Sequence, residues 1–133
     1  MRSAESEVRC DKTYMKFTSY KDLIVWQKSI ILVTEVYSIT KQFPQSEIYA
    51  LSSQMQRAAI SIPSNIAEGY KRNHRLEFIQ FLSVANGSAG ELETQLVIAK
   101  KLYSRIEYEK IEPLMEEVQK MLSKLITSMK TKH

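Results

Sequence analysis

The sequence predicts an all-α protein, folded as an antiparallel up-down-up-down four-helix bundle. In four successive segments the apolar residues recur every three or four positions, which is the periodicity of a helix with one buried face. The 133 residues include only 3 glycines and 3 prolines, too few for the many turns of an all-β fold. The connections between the segments are short, so each helix is expected to run antiparallel to the preceding one.

The chain is expected to form one domain. Residues 1–19 show no periodicity and no continuous apolar face, which predicts a flexible N-terminal tail. Residues 20–130 contain all four segments and form the predicted bundle domain. No apolar run is long enough for a membrane span, and the N-terminus has no apolar stretch typical of a secretory signal. We therefore expect a cytoplasmic protein without a membrane partner.

The first segment, residues 22–42, has a wider apolar face than one seam of a bundle requires. The expected seam consists of Leu23, Trp26, Ile30, Val33 and Tyr37. A second apolar stripe lies beside it, formed by Val25, Leu32, Val36 and Ile39. The helix is therefore either deeply buried or also in contact with another subunit. It is expected to end at Phe43-Pro44, because proline disfavours the α conformation in the preceding residue.

The second segment begins after Gln45-Ser46, with Ser46 as the expected N-cap. Its seam is formed by Leu51, Met55, Ala58 and Ile62. Pro63 predicts either a kink or a helix that re-forms over residues 63–68, and Gly69 is the expected C-terminal stop.

The third segment runs from Asn73 or His74 to about Tyr103, and the fourth covers about residues 107–129. In the third, Gly87 and Gly90 each cost about 1 kcal/mol relative to alanine, which predicts the close approach of a neighbouring backbone. Pro113 is tolerable near the start of the fourth helix.

Residues that could support catalysis or metal binding are scarce. A single cysteine, Cys10, excludes an intramolecular disulfide framework and a cysteine-based zinc site. The di-iron motif Glu-x-x-His is absent, since His74 and Glu77 occur in the reverse order. A nucleophile elbow and a phosphate-cradling glycine loop are also absent. We therefore expect a protein that is not an enzyme, with no catalytic residue, no bound metal and no cofactor.

Basic residues form two groups that are candidates for binding nucleic-acid phosphates. The net charge of +4 and the pI near 9.1 permit such a partner. The first group comprises Lys71, Arg72 and Arg75, with Arg57 earlier, and the second comprises Lys100, Lys101 and Arg105. At 1.5 Å per residue the groups lie about 40 Å apart, so they cannot form one patch on a monomer. An oligomer could repeat either group around a ring and so produce a larger positive surface. The alternative is that they are solvated turns.

A polar line on the second segment has two interpretations. It consists of Arg57, Ser61, Ser64 and Glu68, flanked by Gln54 and Asn65. It is either a solvated face or a place where short side chains let two helices approach. In the second case Arg57 would pair with an acid such as Glu91 of the third helix. The serines favour this second interpretation.

Several stretches resemble the bacterial four-helix-bundle proteins encoded in intervening sequences of 23S ribosomal RNA. The same family takes in the accessory variability proteins of diversity-generating retroelements. The most distinctive stretch is Ser-Ile-Pro-Ser-Asn-Ile-Ala-Glu-Gly at residues 61–69, and the similarity covers about residues 19–127. It also includes residues 22–28, 43–44, 47–51, 54–59, 77–82 and 87–94.

The resemblance implies a homopentameric ring of bundles. For the retroelement members it also implies nucleic-acid binding and association with a reverse transcriptase, and for the intervening-sequence members an association with RNA. The chain departs from the family pattern at His74, where relatives carry Ser or Thr, and at Gln56, which precedes Arg57 where relatives carry two arginines. We therefore predict a homo-oligomer that binds RNA or DNA through a basic surface. The alternative is a protein-interaction scaffold without a nucleic-acid role.

Overall fold

The computed structural model describes residues 19–131, which contain four α-helices and no strand. The helices are α1 (Ile24–Thr40), α2 (Leu51–Lys71), α3 (Arg75–Leu102) and α4 (Ile111–Lys130). Short 3-10 helices, Tyr20–Asp22 and Gln45–Glu47, precede α1 and α2. The all-α prediction is confirmed. The predicted tail lies outside the described residues except for Ser19, whose hydroxyl caps the first 3-10 helix.

The four helices pack as an antiparallel bundle, in which α1 and α3 each lie against both α2 and α4. This pattern places α1 and α3 at diagonal corners. The ring centroids of Tyr20 and Tyr70 lie 6.4 Å apart, so the start of α1 meets the end of α2. We call this the first end of the bundle. At the second end the rings of Phe43 and Tyr103 are 4.9 Å apart.

The core lies along the bundle axis, and its large fully buried side chains are aliphatic or methionine. Each large apolar side chain that is fully buried stabilises the fold by about 1.5–3 kcal/mol. These side chains are Leu32, Val36, Met55, Ile62, Ile66, Leu82, Leu92, Ile111, Val118, Leu122 and Met129. No helix within residues 19–131 has the length and apolarity to cross a membrane.

The buried face of α1 is the second apolar stripe and not the expected seam. Val25, Leu32, Val36 and Ile39 are buried, whereas Ile30 and Tyr37 of the expected seam are exposed. Ile24 and Ile31 are also exposed, so the interpretation of α1 as a deeply buried helix is wrong. The error arises because apolar residues surround α1 on nearly every side, and periodicity alone cannot choose between two overlapping stripes.

Two features at the start and middle of α2 differ from expectation. Ser46 is not the N-cap, because Gln45–Glu47 forms a 3-10 helix and α2 begins at Leu51. The Glu47 carboxylate accepts a hydrogen bond from the Leu51 amide at 3.2 Å, which satisfies one of the amides at the start of the helix. The prediction that the helix re-forms at Pro63 is also wrong, because α2 is one element from Leu51 to Lys71. Pro63 is itself buried in the core, and this packing offsets its missing amide.

Gly69 is not the C-terminal stop of α2, which continues to Lys71. Asn73 turns the chain instead, with a left-handed φ of 59°, a conformation that asparagine tolerates better than most residues. It therefore does not cap α3, whose N-cap is His74 without a side-chain hydrogen bond. Gly69 is required for packing. A Cβ there would lie 2.6 Å from the Cβ of Phe81, so the glycine lets α2 and α3 approach.

The expectation that a neighbouring backbone closely approaches the two glycines inside α3 is wrong within the described chain. A Cβ at Gly87 or Gly90 would meet nothing within 4 Å, so no neighbouring element of the described chain approaches either residue closely. The bounds of α3 agree with the prediction to within two residues.

The fourth helix begins four residues later than predicted, at Ile111, and Pro113 lies in its first turn as expected. The delay has a physical cause in Tyr108, which is buried in the connection. Its hydroxyl donates to the carbonyls of Ala99 at 3.1 Å and Tyr103 at 2.9 Å. The single hydroxyl hydrogen is shared between these two carbonyls, which also accept the amides of Tyr103 and Ile106. The contact holds the connection in an irregular conformation.

Candidate nucleic-acid interface

The first end of the bundle gathers basic residues from three parts of the chain. The Arg75 guanidinium donates a hydrogen bond to the carbonyl of Met129 at 3.2 Å, which brings Lys130 to the connection that holds Lys71. The ring contact of Tyr20 with Tyr70 brings Lys21 to the same end. We call Lys21, Lys71, Arg72, Arg75 and Lys130 the basic end.

Sequence reasoning missed Lys21 and Lys130 as members of this group. In the sequence, Lys130 belongs to a short basic stretch whose positive charge suits the negative pole at the C-terminal end of a helix. That Lys130 lies at the same end of the bundle as Lys71 follows only from the packing of α4 against α3. Both lysines are exposed and form no ion pair within residues 19–131.

The Arg72 side chain has three partners within its own chain. Its guanidinium lies 3.1 Å from the Glu68 carboxylate and 3.6 Å from that of Glu77, and 5.0 Å above the centroid of the Phe81 ring. Two carboxylates offset its charge, and the cation–π contact fixes its direction. Arg72 therefore ties the end of α2 to the start of α3 and presents little free charge. Lys71, in contrast, is exposed and forms no ion pair in the described chain.

Aromatic side chains at this end support the fold. The rings of Trp26, Tyr20, Tyr70 and Phe78 form a continuous series of edge-to-face contacts, with centroids 5.4 to 6.4 Å apart. Tyr70 is only 8% exposed, which leaves no room for a base to stack on it. Burial, and secondly the negative charge of Asp22, raise the pKa of the Tyr70 hydroxyl. Tyr70 therefore serves the fold, and Tyr20 is half-buried against Trp26.

The second basic group lies at the opposite end of α3, as expected. Lys100 pairs with Glu112 of α4, whereas Lys101 and Arg105 are exposed without an ion pair in residues 19–131. Arg105 lines an open groove that also includes Gln42 and Phe43 of the α1–α2 connection. Because α3 has 28 residues and is about 42 Å long, the two groups lie on separate surfaces of one chain.

Tyr103 and Glu47 fix the second end. The Tyr103 hydroxyl donates to the Glu47 carboxylate, and this hydrogen bond is the main cause of a raised pKa for Tyr103. The same carboxylate accepts the amide of Leu51, so one side chain joins the α1–α2 connection to both α2 and α3. Tyr103 also lines the groove, but neither residue belongs to the predicted phosphate-binding set.

The polar line on α2 brings two helices together, but without Arg57. The hydroxyls of Ser61 and Ser88 lie 2.8 Å apart across the α2–α3 contact. Asn65 donates to the carbonyl of Ser61 at 2.7 Å and to its hydroxyl at 2.9 Å. Arg57 is exposed and forms no ion pair with Glu91, so that expected pairing is wrong. Because its side chain extends into solvent, Arg57 remains free to meet a partner.

Within residues 19–131 no three histidine, cysteine or acidic side chains lie close enough together to hold a metal ion. The described part of the chain therefore offers phosphates a set of exposed cations and no metal centre.

Comparison with known proteins decides the family. The sequence model of the 23S rRNA-intervening sequence protein family matches residues 21–124, which is most of the chain and all four helices but for the last turns of α4. The chain belongs to this family. The intervening-sequence match thus covers both the Ser-Ile-Pro-Ser-Asn-Ile-Ala-Glu-Gly stretch and all seven predicted phosphate-binding residues.

A solved structure agrees with this assignment. The chain is similar to a protein of unknown function from the S23 ribosomal protein family of Bacteroides thetaiotaomicron VPI-5482, with 27% sequence identity and a TM-score of 0.71. The alignment covers 80% of this chain and 98% of that one, so the two folds match over most of this chain and nearly all of the other. No curated protein matches the sequence. Neither the family description nor that of the solved structure names an enzymatic activity.

Proposed function

We propose that this member of the 23S rRNA-intervening sequence protein family is a non-enzymatic homo-oligomer that binds RNA or DNA through phosphate contacts at its basic end. The observation that supports the proposal is the Arg75–Met129 contact, which brings the end of α4, next to Lys130, to the end of the bundle that holds Lys71. The family name supports RNA as the partner, because it links the members to inserted segments of ribosomal RNA.

A single basic end would bind weakly. Each neutralised phosphate contributes a log–log salt slope of about −0.7 for single strands and about −0.9 for duplex DNA. Three free lysines, Lys21, Lys71 and Lys130, therefore give a slope near −2 to −3 for one chain. We propose the pentameric ring as the assembly that repeats this surface five times, which raises the affinity through multivalency. Lys101 and Arg105 at the second end, and Arg57 on α2, are secondary contacts in this proposal.

The experiment is fluorescence anisotropy of short labelled RNA, single-stranded DNA and duplex DNA, each at several salt concentrations. We compare the wild type with Lys71→Glu/Lys130→Glu at the basic end. The matched control is Lys101→Glu/Arg105→Glu at the second end, since both double variants lower the net charge from +4 to 0. The proposal expects the basic-end variant to lose at least about ten-fold in affinity and to show a shallower salt slope, with a clearly smaller effect for the control.

Equal losses in the two variants would show that net charge alone drives binding, and an unchanged affinity in the basic-end variant would contradict the proposed site. No binding by the wild type at low salt would contradict the nucleic-acid proposal as a whole.

One observation favours the alternative, a protein-interaction scaffold. Arg72, Arg75 and Lys100 already have partners within the chain, so these three of the seven candidate cations are less available to phosphate than the others. This alternative predicts that a purified complex contains a partner protein in fixed stoichiometry that survives nuclease treatment. A reverse transcriptase is the partner to test first if the gene lies in a retroelement.

A further inference from the structure

The side chain of Tyr49, in the α1–α2 connection, is almost wholly exposed. It is 95% exposed, and within residues 19–131 it forms no hydrogen bond and no contact with another ring. The next most exposed tyrosine of the described chain, Tyr37, is 43% exposed. Aromatic rings contribute most of their energy when they are covered, so a ring that the fold leaves free is available to a planar partner.

The backbone around this ring is held by hydrogen bonds on both sides. The amide of Ile48 donates to the carbonyl of Gln45 at 3.1 Å, and the amide of Ala50 donates to the carbonyl of Glu47 at 3.0 Å. The connection therefore presents Tyr49 from a turn that is already formed. Little backbone freedom remains to be lost when the ring meets a partner, which lowers the cost of binding.

Tyr49 lies at the second end of the bundle, near the basic group at the end of α3. The Tyr103 hydroxyl donates to the Glu47 carboxylate and so joins the two connections. Tyr49 is two residues from Glu47 in the chain, and Lys101 and Arg105 are each two residues from Tyr103. An extended chain spans at most about 3.6 Å per residue, so each of these three Cα atoms lies within about 7 Å of a Cα atom of the joined pair.

The cations near this ring are available to an anion. Lys101 and Arg105 are exposed and form no ion pair in the part of the chain that the structure describes. The carboxylate of Glu47 already accepts two hydrogen bonds within the chain, and Glu107 and Glu109 do not line the groove that contains Arg105. The charge of this surface therefore complements a row of phosphates, and the free ring complements a base.

We infer that the second end binds single-stranded nucleic acid, with an unpaired base stacked on Tyr49 and neighbouring phosphates on Lys101 and Arg105. Stacking on a side chain requires a base with a free face, which a strand offers and the interior of a duplex does not. At the basic end the aromatic rings pack against one another, so that end contacts phosphates without a base. The inference rests on the proposed function and adds to it a site that favours unpaired strands.

The test measures fluorescence anisotropy of a short labelled RNA strand, alone and annealed to its complement, at several salt concentrations. Tyr49→Leu keeps an apolar side chain but removes the aromatic face, whereas Tyr49→Phe keeps that face. The matched control is Tyr37→Leu, the same substitution at the partly exposed tyrosine of α1. Because the fold does not cover Tyr49, both of its variants should keep the circular dichroism and the sedimentation coefficient of the wild type.

Tyr49→Leu is expected to bind the single strand about five-fold or more weakly than the wild type, and to change duplex affinity by less than about two-fold. Its salt slope should be unchanged, because stacking neutralises no phosphate. Tyr49→Phe and Tyr37→Leu should bind both forms like the wild type. Lys101→Glu/Arg105→Glu should instead make the salt slope for the single strand shallower, since it removes phosphate contacts.

Failure of this inference and of the proposed function can be told apart. If Tyr49→Leu keeps single-strand affinity, or loses affinity equally for strand and duplex, the stacking site is wrong, while the loss expected for Lys71→Glu/Lys130→Glu still tests the basic end. An equal loss in Tyr37→Leu would overturn the assignment to Tyr49. A changed sedimentation coefficient of Tyr49→Leu would place the ring between copies of the chain and also overturn it. A wild type that binds neither form would contradict both proposals.

Discussion

The guanidinium of Arg75 lies 3.2 Å from the carbonyl oxygen of Met129, 54 residues later in the chain. It donates to a carbonyl in the last turn of α4, where the carbonyls lack the regular partner four residues later in the helix. Arg75 thus links the start of α3 to the end of α4 and closes the first end of the bundle. A residue expected to contact phosphate therefore also stabilises the fold.

This relationship predicts different outcomes for two neighbouring basic residues. Arg75→Ala removes a charged hydrogen bond to a partly buried carbonyl and should lower the free energy of unfolding by about 1 kcal/mol. Lys71→Ala removes an exposed, unpaired charge and should change it by less than about 0.5 kcal/mol. Urea unfolding at neutral pH measures both. Equal stability of the two variants would show that the Met129 contact contributes nothing.

The contact of Gly69 with Phe81 predicts that a usually stabilising substitution is harmful. Alanine has the higher helix propensity by about 1 kcal/mol. At Gly69, however, the added Cβ would lie 2.6 Å from the Cβ of Phe81 and 3.0 Å from Cδ1 of Phe78, so α2 and α3 would have to move apart. Gly69→Ala should therefore lower the unfolding free energy by about 1–3 kcal/mol despite the propensity gain.

The control for this prediction is Gly90→Ala in the same bundle. A Cβ at Gly90 meets no atom within 4 Å, so the propensity gain is not offset there. This variant should be as stable as the wild type or up to about 1 kcal/mol more stable in thermal unfolding. If Gly69→Ala were also stabilising, the close approach of α2 and α3 at Phe81 would be wrong.

The bundle was predictable from sequence because helical periodicity and short connections depend on local information. The errors share a physical cause, which is that the deciding contact comes from elsewhere in the chain. Pro63 stays within a continuous α2 because the core packs around it, and α4 begins late because Tyr108 bonds to Ala99. On α1 the sequence could not choose between two apolar stripes, since only the packing of α2 and α4 selects one.

Most of the residues of the candidate site were predictable from the sequence, but the way in which the fold arranges and pairs them was not. Six of the seven cations lie at or just beyond the ends of α2 and α3, and Arg57 lies within α2, but sequence alone could not show which have partners. The pairing of Arg72 with Glu68 has the four-residue spacing that favours an ion pair in a helix, and this signal was available. The contact of Arg75 with Met129 and the addition of Lys130 depend on tertiary packing, which no local pattern encodes.

Tyr108 predicts a loss of stability in alkaline solution. Burial raises the pKa of its hydroxyl above the value of about 10 in an unfolded chain. The folded state therefore favours the protonated form. The resulting stabilisation is fully present below about pH 10 and is lost as the pH rises through the folded-state pKa. Tyr70 and Tyr103, whose pKa values are also raised, act in the same direction.

The measurement is urea unfolding of the wild type and Tyr108→Phe at pH 7, 9, 10 and 11. At pH 7 the variant should be less stable by about 1 kcal/mol, because the hydrogen bond of the Tyr108 hydroxyl to the carbonyls of Ala99 and Tyr103 is lost. Above about pH 10 the difference should shrink, since the wild type loses a contribution that phenylalanine never had. Curves that stay parallel at all four pH values would contradict the raised pKa.

The hydrogen bond between Ser61 and Ser88 predicts energetic coupling across the α2–α3 contact. The two hydroxyl oxygens lie 2.8 Å apart, and Asn65 also donates to Ser61. In Ser88→Ala the Ser61 oxygen still accepts from Asn65, so the single variant should lose only about 0.5–1 kcal/mol. A double-mutant cycle with Ser61→Ala should yield a coupling energy of about 0.5–1.5 kcal/mol. Additive losses would mean that the two serines merely permit the helices to approach, and that their hydrogen bond does not stabilise the contact.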